Sequence, residues 1–221
     1  MIHVVAGVLI DRHRRVLIAQ RPAGKHMAGA WEFPGGKLEP GEAPADALKR
    51  EIDEEIGVCI DRPRPLMRLR HHYEHGEVLL DVWVVRHFRG EPRSLDGQAL
   101  RWCNRRELAG AELLPADRPI IDALRLPERL RQRSAAGYRI TPFGARGAGG
   151  GGRLEGVLCA SRAEADTAAA CGADFLALGK PLAPDELGEL CKEVGAPVYA
   201  RGVDLERAWS LGATGVNGLM R

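Results

Sequence analysis

The chain has 221 residues, of which 45% are hydrophobic, and its 32 basic side chains nearly balance its 30 acidic ones. This balance argues against the strongly basic surfaces that bind duplex DNA or anionic membranes. The five cysteines are widely spaced without a C-x-x-C pair, and no run approaches the ~20 apolar residues of a membrane helix. We therefore expect a soluble, cytoplasmic protein with free thiols; the sequence does not predict an oligomeric state.

The first part of the chain, residues 1–128, alternates strand and helix patterns as one α/β domain does. Two β-rich runs separated by the polar stretch DRHR predict a hairpin. In chain order, the predicted elements are strands at 3–10 and 15–22, a helix at 43–57, strands at 78–88 and 98–104, and a helix at 116–126. Together they predict one complete domain.

The composition changes after residue 128. Residues 129–152 contain a basic run and a run of glycines, which orders only at a high entropic cost, so we predict a linker there. Strand and helix signals then alternate through residues 153–221, which is typical of parallel β-α units.

Three glutamates share one face of the predicted helix at 43–57. Glu51, Glu54 and Glu55 have i, i+3, i+4 spacing and fall within an arc of about 100°. Crowded carboxylates repel each other and raise each other's pKa, and a hard divalent cation such as Mg²⁺ removes that cost. The glycines just before the helix allow a backbone carbonyl to approach as a further ligand. The alternative is an acidic helix face in solvent.

The spacing around these glutamates favours the metal site. Written from residue 36, the pattern is G-x5-E-x7-R-E-U-x-E-E-x-G-U, where U is a bulky apolar residue. Its fixed places are filled by Gly36, Glu42, Arg50, Glu51, Ile52, Glu54, Glu55, Gly57 and Val58. This pattern resembles the Nudix box. The resemblance implies a Nudix α/β/α sandwich with a mixed sheet, and Mg²⁺-dependent hydrolysis of a nucleoside diphosphate linked to another group.

The resemblance also implies a role for each residue of the motif. Glu51, Glu54 and Glu55 would be the catalytic carboxylates that bind Mg²⁺, with Mn²⁺ as a substitute, and Glu51 would also help as a base. Gly35 would offer its carbonyl to the metal. The residues with structural roles would be Gly36, Gly57 and the ion pair of Glu42 with Arg50.

The flanking sequence narrows the expected substrate. The stretch QRPAGKHMAGAWEFPGGK resembles the MutT-type branch, which cleaves oxidised purine triphosphates such as 8-oxo-dGTP to the monophosphate and pyrophosphate. The resemblance implies that Arg21 contacts phosphate and that Phe33 lines the base pocket. It also implies substrate contacts for His26, whose alternative is plain packing, and for Asp117.

The chain departs from that branch at three positions. Asp117 stands where the family often has Asn, so it can donate a hydrogen bond to a purine O6 only if it is protonated. Asp96 aligns with a longer family carboxylate and is a candidate metal or water ligand. Val78 occupies the region where some members place an arginine over the base. Another Nudix substrate therefore stays open.

The segment 153–221 is similar to the later half of thiamine-phosphate synthase, a TIM barrel, and YRITP at 138–142 resembles that enzyme's first strand. The middle strands are missing, and roughly five strands cannot close a barrel. We therefore expect an incomplete TIM-barrel-like β-α segment. Three roles stay open: synthase activity, a structural appendage, or a regulatory site for a thiamine-related phosphate.

Overall fold

A computed structural model of the protein describes residues 1–74, 76–135, 137–145 and 152–219. The chain divides into two compact units. The first comprises Met1–Arg64 and Arg70–Ile121, and the second comprises Pro65–Leu69 and Asp122–Arg221. Within the described ranges, no helix is both long enough and apolar enough to cross a membrane.

The first part of the chain folds into nine strands and three helices. They are β1 (Ile2–Leu9), β2 (Val16–Gln20), β3 (Trp31–Glu32), β4 (Gly35–Lys37), α1 (Pro44–Ile56), β5 (Cys59–Asp61), β6 (Arg64–Tyr73), β7 (Gly76–Val85), β8 (His87–Arg89), β9 (Leu100–Cys103), α2 (Arg105–Ala109) and α3 (Arg118–Ala123). A 3-10 turn at Pro115–Asp117 leads into α3. Strands β3, β4, β5 and β6 and helix α2 have no counterpart among the predicted elements.

A mixed four-stranded sheet with strand order β4-β1-β7-β6 is the centre of this unit, which contains Arg64 and Arg70–Tyr73 of β6. Strand β1 pairs in parallel with β7 and antiparallel with β4. Helix α1 packs its apolar side against the sheet, and the fully buried residues Leu48, Ile52 and Ile56 share one core with Val5 and Leu9. Two smaller sheets, β3-β2-β9 and β5-β8, complete the unit. The observed α/β architecture with a mixed sheet agrees with the prediction for this part.

The predicted hairpin between the first two strands is confirmed only at its turn. A tight turn is present, because Asp11 Oδ1 accepts the N–H groups of His13 and Arg15 at 2.9 and 2.8 Å. Beyond the single bridge of Ile10 with Val16, however, the strands separate. Both edges of β1 are already paired, with β4 and β7, so β2 pairs instead with β3 and β9.

The second unit contains a seven-stranded sheet curled into a half-barrel. Its elements are β10 (Arg129–Leu130), β11 (Ser134–Ala135), β12 (Tyr138–Pro142), β13 (Leu154–Cys159), α4 (Arg162–Ala170), β14 (Phe175–Leu178), α5 (Pro184–Glu193), β15 (Val198–Ala200), α6 (Leu205–Ser210) and β16 (Gly215–Asn217). The strand order is β10-β16-β15-β14-β13-β12-β11, and every neighbouring pair is parallel except β11 with β12.

The two faces of this sheet bury different side chains, as alternation along a strand requires. Leu176 and Leu178 of β14 pack in the same core as residues of α4, α5 and α6. Phe175 points to the other face, where its ring lies edge-on to Tyr138 and Tyr199 at 5.8 Å. The Tyr199 hydroxyl donates to the carbonyl of Pro127 at 2.6 Å.

Two expectations for this part of the chain need correction. The sheet has seven described strands where roughly five were expected, because β10 and β11 add to its two edges. These two strands and β12 also occupy the first part of the predicted linker at 129–152, while residues 147–151 of the glycine run at 147–152 lie outside the described residues. The likeness to a TIM barrel stays a prediction.

Candidate active site

Helix α1 places its three glutamates beside the buried side of the helix. The first turn begins with Pro44, whose ring suits that position, and the helix ends at Gly57. Gly57 has a φ of 66° and donates its N–H to the Asp53 carbonyl, so a left-handed cap closes the last turn. The apolar periodicity that buries Ile52 thereby directs Glu51 and Glu55 toward β4.

Both glycines of β4 are needed because other groups lie where a side chain would be. A Cβ on Gly35, whose φ is 151°, would overlap the Val5 carbonyl of β1. A Cβ on Gly36 would overlap the carboxylate of Glu51. The Gly35 N–H donates to Glu55 Oε2 at 3.2 Å. The diglycine strand therefore lets the acidic helix approach the central sheet closely.

Arg50 connects the loop after β4 with the acidic face of α1. Its Nε and Nη2 donate to both oxygens of Glu42 at 3.0 and 2.9 Å, and this hydrogen bonding lowers the pKa of Glu42. Its Nη1 donates to Glu51 at 2.8 Å and to Glu54 at 3.2 Å. The structure thus places Glu42 and Arg50 in an ion pair and adds two glutamates of the helix to it.

Negative charge is concentrated at Glu55. The pKa of Glu55 is raised to about 7, chiefly by burial and also by the charges of Glu32 and Glu51, while the hydrogen bond from Gly35 offsets part of the rise. Positive charge at this position would lower the pKa again. The local electrostatics therefore favour a bound cation.

The donor set of this wall suits a hard divalent cation, although it is not yet arranged around one. Among the described residues, no three His, Cys, Asp or Glu side chains are placed to hold a metal ion as they stand. The Arg50 Nη1 donates to the carboxylates of both Glu51 and Glu54. Carboxylate and carbonyl oxygens are nevertheless the ligands that Mg²⁺ prefers. The chemistry of these residues therefore fits such an ion.

These groups line a cavity of about 760 Å³ in the first unit. Its walls include ten residues singled out from the sequence: Arg21, His26, Phe33, Gly35, Gly36, Glu51, Glu54, Glu55, Asp96 and Asp117. The three other predicted residues, Glu42, Arg50 and Gly57, are not among those that line it. Apolar side chains of β1 and β7, among them Val4 and Val78, line another part. A volume of this size, with both apolar and charged walls, is typical of a small-molecule site.

Arg21 is held by its neighbours on the cavity wall. Its Nη1 forms an ion pair with Glu32, and its Nε donates to the His26 carbonyl at 2.7 Å. Burial raises the pKa of Glu32, and the charge of Arg21 offsets part of that effect. Arg21 therefore orders the loop after β2 and still presents its remaining guanidinium N–H groups to the cavity.

Asp117 is a buried acid at the cavity wall and is 4% exposed. Burial raises its pKa to about 8, and the charge of Glu32 adds to the effect. The Phe33 N–H donates to Asp117 Oδ2 at 3.3 Å, which offsets only part of the shift. A pKa raised in this way favours the protonated carboxyl at neutral pH, and that form can donate one hydrogen bond while it accepts another.

The cavity includes residues to which the sequence analysis assigned no role. Glu32 lies on β3, paired to β2 opposite Ala19, and this register brings it near Arg21. Tyr73 ends β6, and its ring lies edge-on to His26 at 5.9 Å. The sequence signals were weak: Glu32 only precedes the FPGGK stretch, and Tyr73 follows two histidines. Lys25 and Lys37 add positive charge to the same walls.

Comparisons with known proteins identify the first part of the chain. A family model described as NUDIX domain matches residues 5–123. An 8-oxo-dGTP diphosphatase of Proteus vulgaris is 43% identical over 90 residues, which cover 41% of this chain and 80% of that protein. A CTP pyrophosphohydrolase of Escherichia coli (strain K12) is 39% identical over 123 residues, covering 56% of this chain and 90% of that protein. The crystal structure of a MutT NUDIX hydrolase from Burkholderia pseudomallei aligns with a TM-score of 0.52 at 28% identity, covering 55% of this chain and 96% of that one.

The raised pKa of Asp117 predicts how the stability of the first unit depends on pH. From about pH 4 to about pH 8 the folded chain keeps a proton on Asp117 that the unfolded chain has lost, so this residue makes stability fall as pH rises. In Asp117→Asn this contribution disappears. We expect the free energy of unfolding of the variant, relative to the parent, to rise by at most about 1.4 kcal/mol per pH unit over that range.

Urea denaturation at several pH values measures this difference. Asp53→Asn, which removes an exposed carboxylate from α1, is the control for general charge effects. A difference between Asp117→Asn and the parent that does not change between pH 5 and pH 8 would show that Asp117 is already ionised in the fold.

Proposed function

The chain belongs to the Nudix family of hydrolases, and we propose from this premise that its first unit cleaves a nucleoside triphosphate to the monophosphate and pyrophosphate. Oxidised purine nucleotides such as 8-oxo-dGTP are the proposed substrates. The observation that carries the proposal is one cavity with a cluster of glutamates on α1 and a protonated acid, Asp117, on another wall. The cluster of glutamates suits a polyphosphate with its cation, and the protonated acid suits hydrogen bonding to a nucleotide base.

The acidic wall would hold Mg²⁺, or Mn²⁺ in its place. Glu51, Glu54 and Glu55 would be the carboxylate ligands, and Gly35 would offer its carbonyl, with Asp96 as a further ligand directly or through water. A bound divalent cation neutralises charge on the phosphate oxygens and acidifies the attacking water. Glu51 would accept a proton from that water. Its nearness to β4, where only glycine fits, fixes the position from which it does so.

Basic groups at the cavity would bind the phosphates. Arg21 can use the guanidinium N–H groups that Glu32 and the His26 carbonyl do not occupy. Because the other two contacts fix its plane, the guanidinium loses little entropy on binding phosphate. Lys25 and Lys37 would add positive charge near the same oxygens.

Asp117 and Phe33 would recognise the base. The Phe33 N–H donates to Asp117 Oδ2 and so occupies one of its lone pairs. The protonated carboxyl can still donate through its O–H and accept through its carbonyl oxygen. In 8-oxo-guanine, O6 accepts a hydrogen bond and N7–H donates one. A neutral Asp117 therefore matches this edge as an asparagine amide would, and the Phe33 ring supplies an apolar surface beside it.

CTP is a second candidate substrate. The 39% identical relative named CTP pyrophosphohydrolase supports it, and so does Val78, which lines the cavity where some MutT-type members place an arginine over the base. Cytosine presents N3 as an acceptor beside its N4 amino donor, so a neutral Asp117 pairs with this edge as well. Other nucleoside diphosphate derivatives share the same phosphate chemistry and form a third group.

A substrate panel with two matched variants tests the acidic wall. With Mg²⁺ we expect the parent to hydrolyse 8-oxo-dGTP faster than dGTP or CTP, and Glu54→Gln to lower kcat at least about tenfold because a metal ligand is lost. Asp53→Asn removes the same charge from the preceding residue, whose side chain is exposed and off the cavity, and should keep the parent rate. If Glu54→Gln matches the parent, the metal assignment is wrong.

The protonation of Asp117 predicts the pH dependence of the KM for 8-oxo-dGTP. Above about pH 8 the acid ionises and loses its donor, so KM should rise by about tenfold for each further pH unit. Asp117→Asn cannot ionise, and the ratio of parent KM to variant KM cancels the pH effects of nucleotide and cation. This ratio should be constant below pH 7 and rise above pH 8; a constant ratio up to pH 10 would remove Asp117 from base recognition.

For the second unit, we propose that the likeness to thiamine-phosphate synthase extends to binding of a thiamine-related phosphate and not to catalysis. The parallel order from β12 to β16, with α4 to α6 between the later strands, supports it. The loop after β15 argues against catalysis, because Arg201 stands where that family has a glycine and donates to the carbonyls of Asn217 and Leu219 at 2.9 and 2.6 Å.

Titration calorimetry of the full chain with thiamine phosphate tests this binding function. A regulatory site predicts saturable heat that inorganic phosphate at the same concentration does not reproduce. Without such heat, a structural appendage is the function that remains for the second unit.

A further inference from the structure

Gln98 is a buried side chain in a loop that is otherwise exposed. The loop joins β8 to β9, and residues 93–97 and Ala99 are all exposed, whereas Gln98 is 7% exposed. A buried amide is tolerated only when its donor and acceptor groups are paired. The partners of Gln98 therefore show what the residue holds in place.

The hydrogen bonds of Gln98 join two parts of the chain. Its Oε1 accepts the Ser94 hydroxyl at 3.0 Å and the Asp96 N–H at 3.1 Å, and its Nε2 donates to the Glu55 carbonyl at 3.2 Å. These partners also determine the orientation of the amide, because an N–H requires an oxygen and a carbonyl requires the NH₂ group. One side chain thus fastens the loop to the last turn of α1.

The loop also contacts the end of α1 through its backbone. The Leu95 N–H donates to the Glu55 carbonyl at 3.1 Å, and the Arg93 N–H donates to the Ile56 carbonyl at 3.0 Å. Carbonyls in the last turn of a helix have no partner within the helix, so the loop satisfies them. The carbonyl of Glu55 accepts from both Leu95 and Gln98.

Glu55 and Asp96, whose backbones these contacts hold together, line the same cavity. Asp96 lies in the exposed part of the loop, and without a fixed backbone it would have many orientations to lose on binding a ligand. We propose that Gln98 is a positioning residue that holds the Asp96 backbone against α1 and so keeps the Asp96 carboxylate beside Glu55. This inference rests on the proposed function, in which both residues hold a divalent cation.

A purely structural role for Gln98 makes a different prediction. The N–H groups of Arg93 and Leu95 already cap the helix, so a structural Gln98 would add only to the stability of the fold. A positioning Gln98 acts through Asp96, and its loss should weaken cation binding only when Asp96 is present. The two roles therefore separate in a measurement of metal affinity.

Mn²⁺ affinity, measured by electron paramagnetic resonance on the full chain without nucleotide, is the main measurement. Gln98→Leu keeps the size of the side chain and removes all three hydrogen bonds, and it should weaken Mn²⁺ binding roughly 10–100-fold, as the loss of a group that orients a ligand does. Gln98→Asn keeps both functional groups on a shorter stem and should recover part of the affinity. Gln132→Leu, the same change at an exposed position of the second unit, is the control.

Hydrogen exchange gives a measurement that does not depend on any metal. In Gln98→Leu the Asp96 amide loses its acceptor and should exchange at least about tenfold faster, while the amides of β1 and β7 exchange as in the parent. If the amides of β1 and β7 also exchange faster, Gln98→Leu has lost its fold, and the Mn²⁺ affinity of Gln98→Asn then tests the inference.

A double-mutant cycle with Asp96→Asn decides whether Gln98 acts through Asp96. We expect Asp96→Asn to weaken Mn²⁺ binding, and the double variant with Gln98→Leu to bind no more weakly than Asp96→Asn alone. Additive losses would overturn the inference, and so would unchanged affinity in Gln98→Leu.

The cycle also separates failure of this inference from failure of the proposed function. If Asp96→Asn keeps the parent affinity, then Asp96 is not a ligand and both the inference and this part of the proposed site are wrong. If Asp96→Asn loses affinity and Gln98→Leu does not, only the inference is wrong. Hydrolysis of the nucleotide panel by the parent tests the proposed activity independently of both outcomes.

Discussion

The structure of the candidate site depends on the close approach of α1 to the diglycine strand β4. Any side chain at Gly35 or Gly36 would overlap Val5 of the central strand or the Glu51 carboxylate. This approach places Glu51 and Glu55 against the sheet, where water cannot fully solvate them. The resulting repulsion is tolerable because Arg50 and the Gly35 N–H provide compensating contacts, and a hard cation would provide a stronger one.

The cavity contains two acids, Glu55 and Asp117, whose negative charge is avoided in different ways because their burial and their charged neighbours differ. At Glu55 the carboxylate lies near other acids and can be neutralised by a cation. Asp117 is almost fully buried, so keeping its proton costs less free energy than burying a charge. Glu32 raises the pKa of both residues, and its ion pair with Arg21 keeps its own charge compensated. One cavity can thus present oxygen ligands for a cation and a neutral donor for a base.

The second unit shows how a regular β-α pattern is satisfied by packing on both faces of one sheet. Its helices cover one face of the sheet, and its own aromatic side chains fill the other. Arg201 donates to the backbone carbonyls of Asn217, at the end of β16, and of Leu219, in the loop that follows. These contacts stabilise the sheet, so the fold of this unit is explained without reference to a ligand.

The sequence by itself determined those features that depend on neighbours along the chain. Helix α1, its Gly57 cap and the side on which Glu51, Glu54 and Glu55 lie follow from a spacing of three to four residues, which any helix converts into one face. The length and specificity of the Nudix pattern also indicated the family. The later strands and helices of the second unit were predictable for the same local reason.

Only the tertiary structure decided the features that depend on pairing and burial between distant residues. Strand β1 joins β4 and β7 instead of β2, and Gln98 reaches the end of α1, 43 residues away. The protonation of Asp117 follows from how completely the fold excludes water around it, which no local pattern records. Sequence periodicity specifies the faces of single elements, whereas desolvation and long-range hydrogen bonding exist only after those faces have packed together.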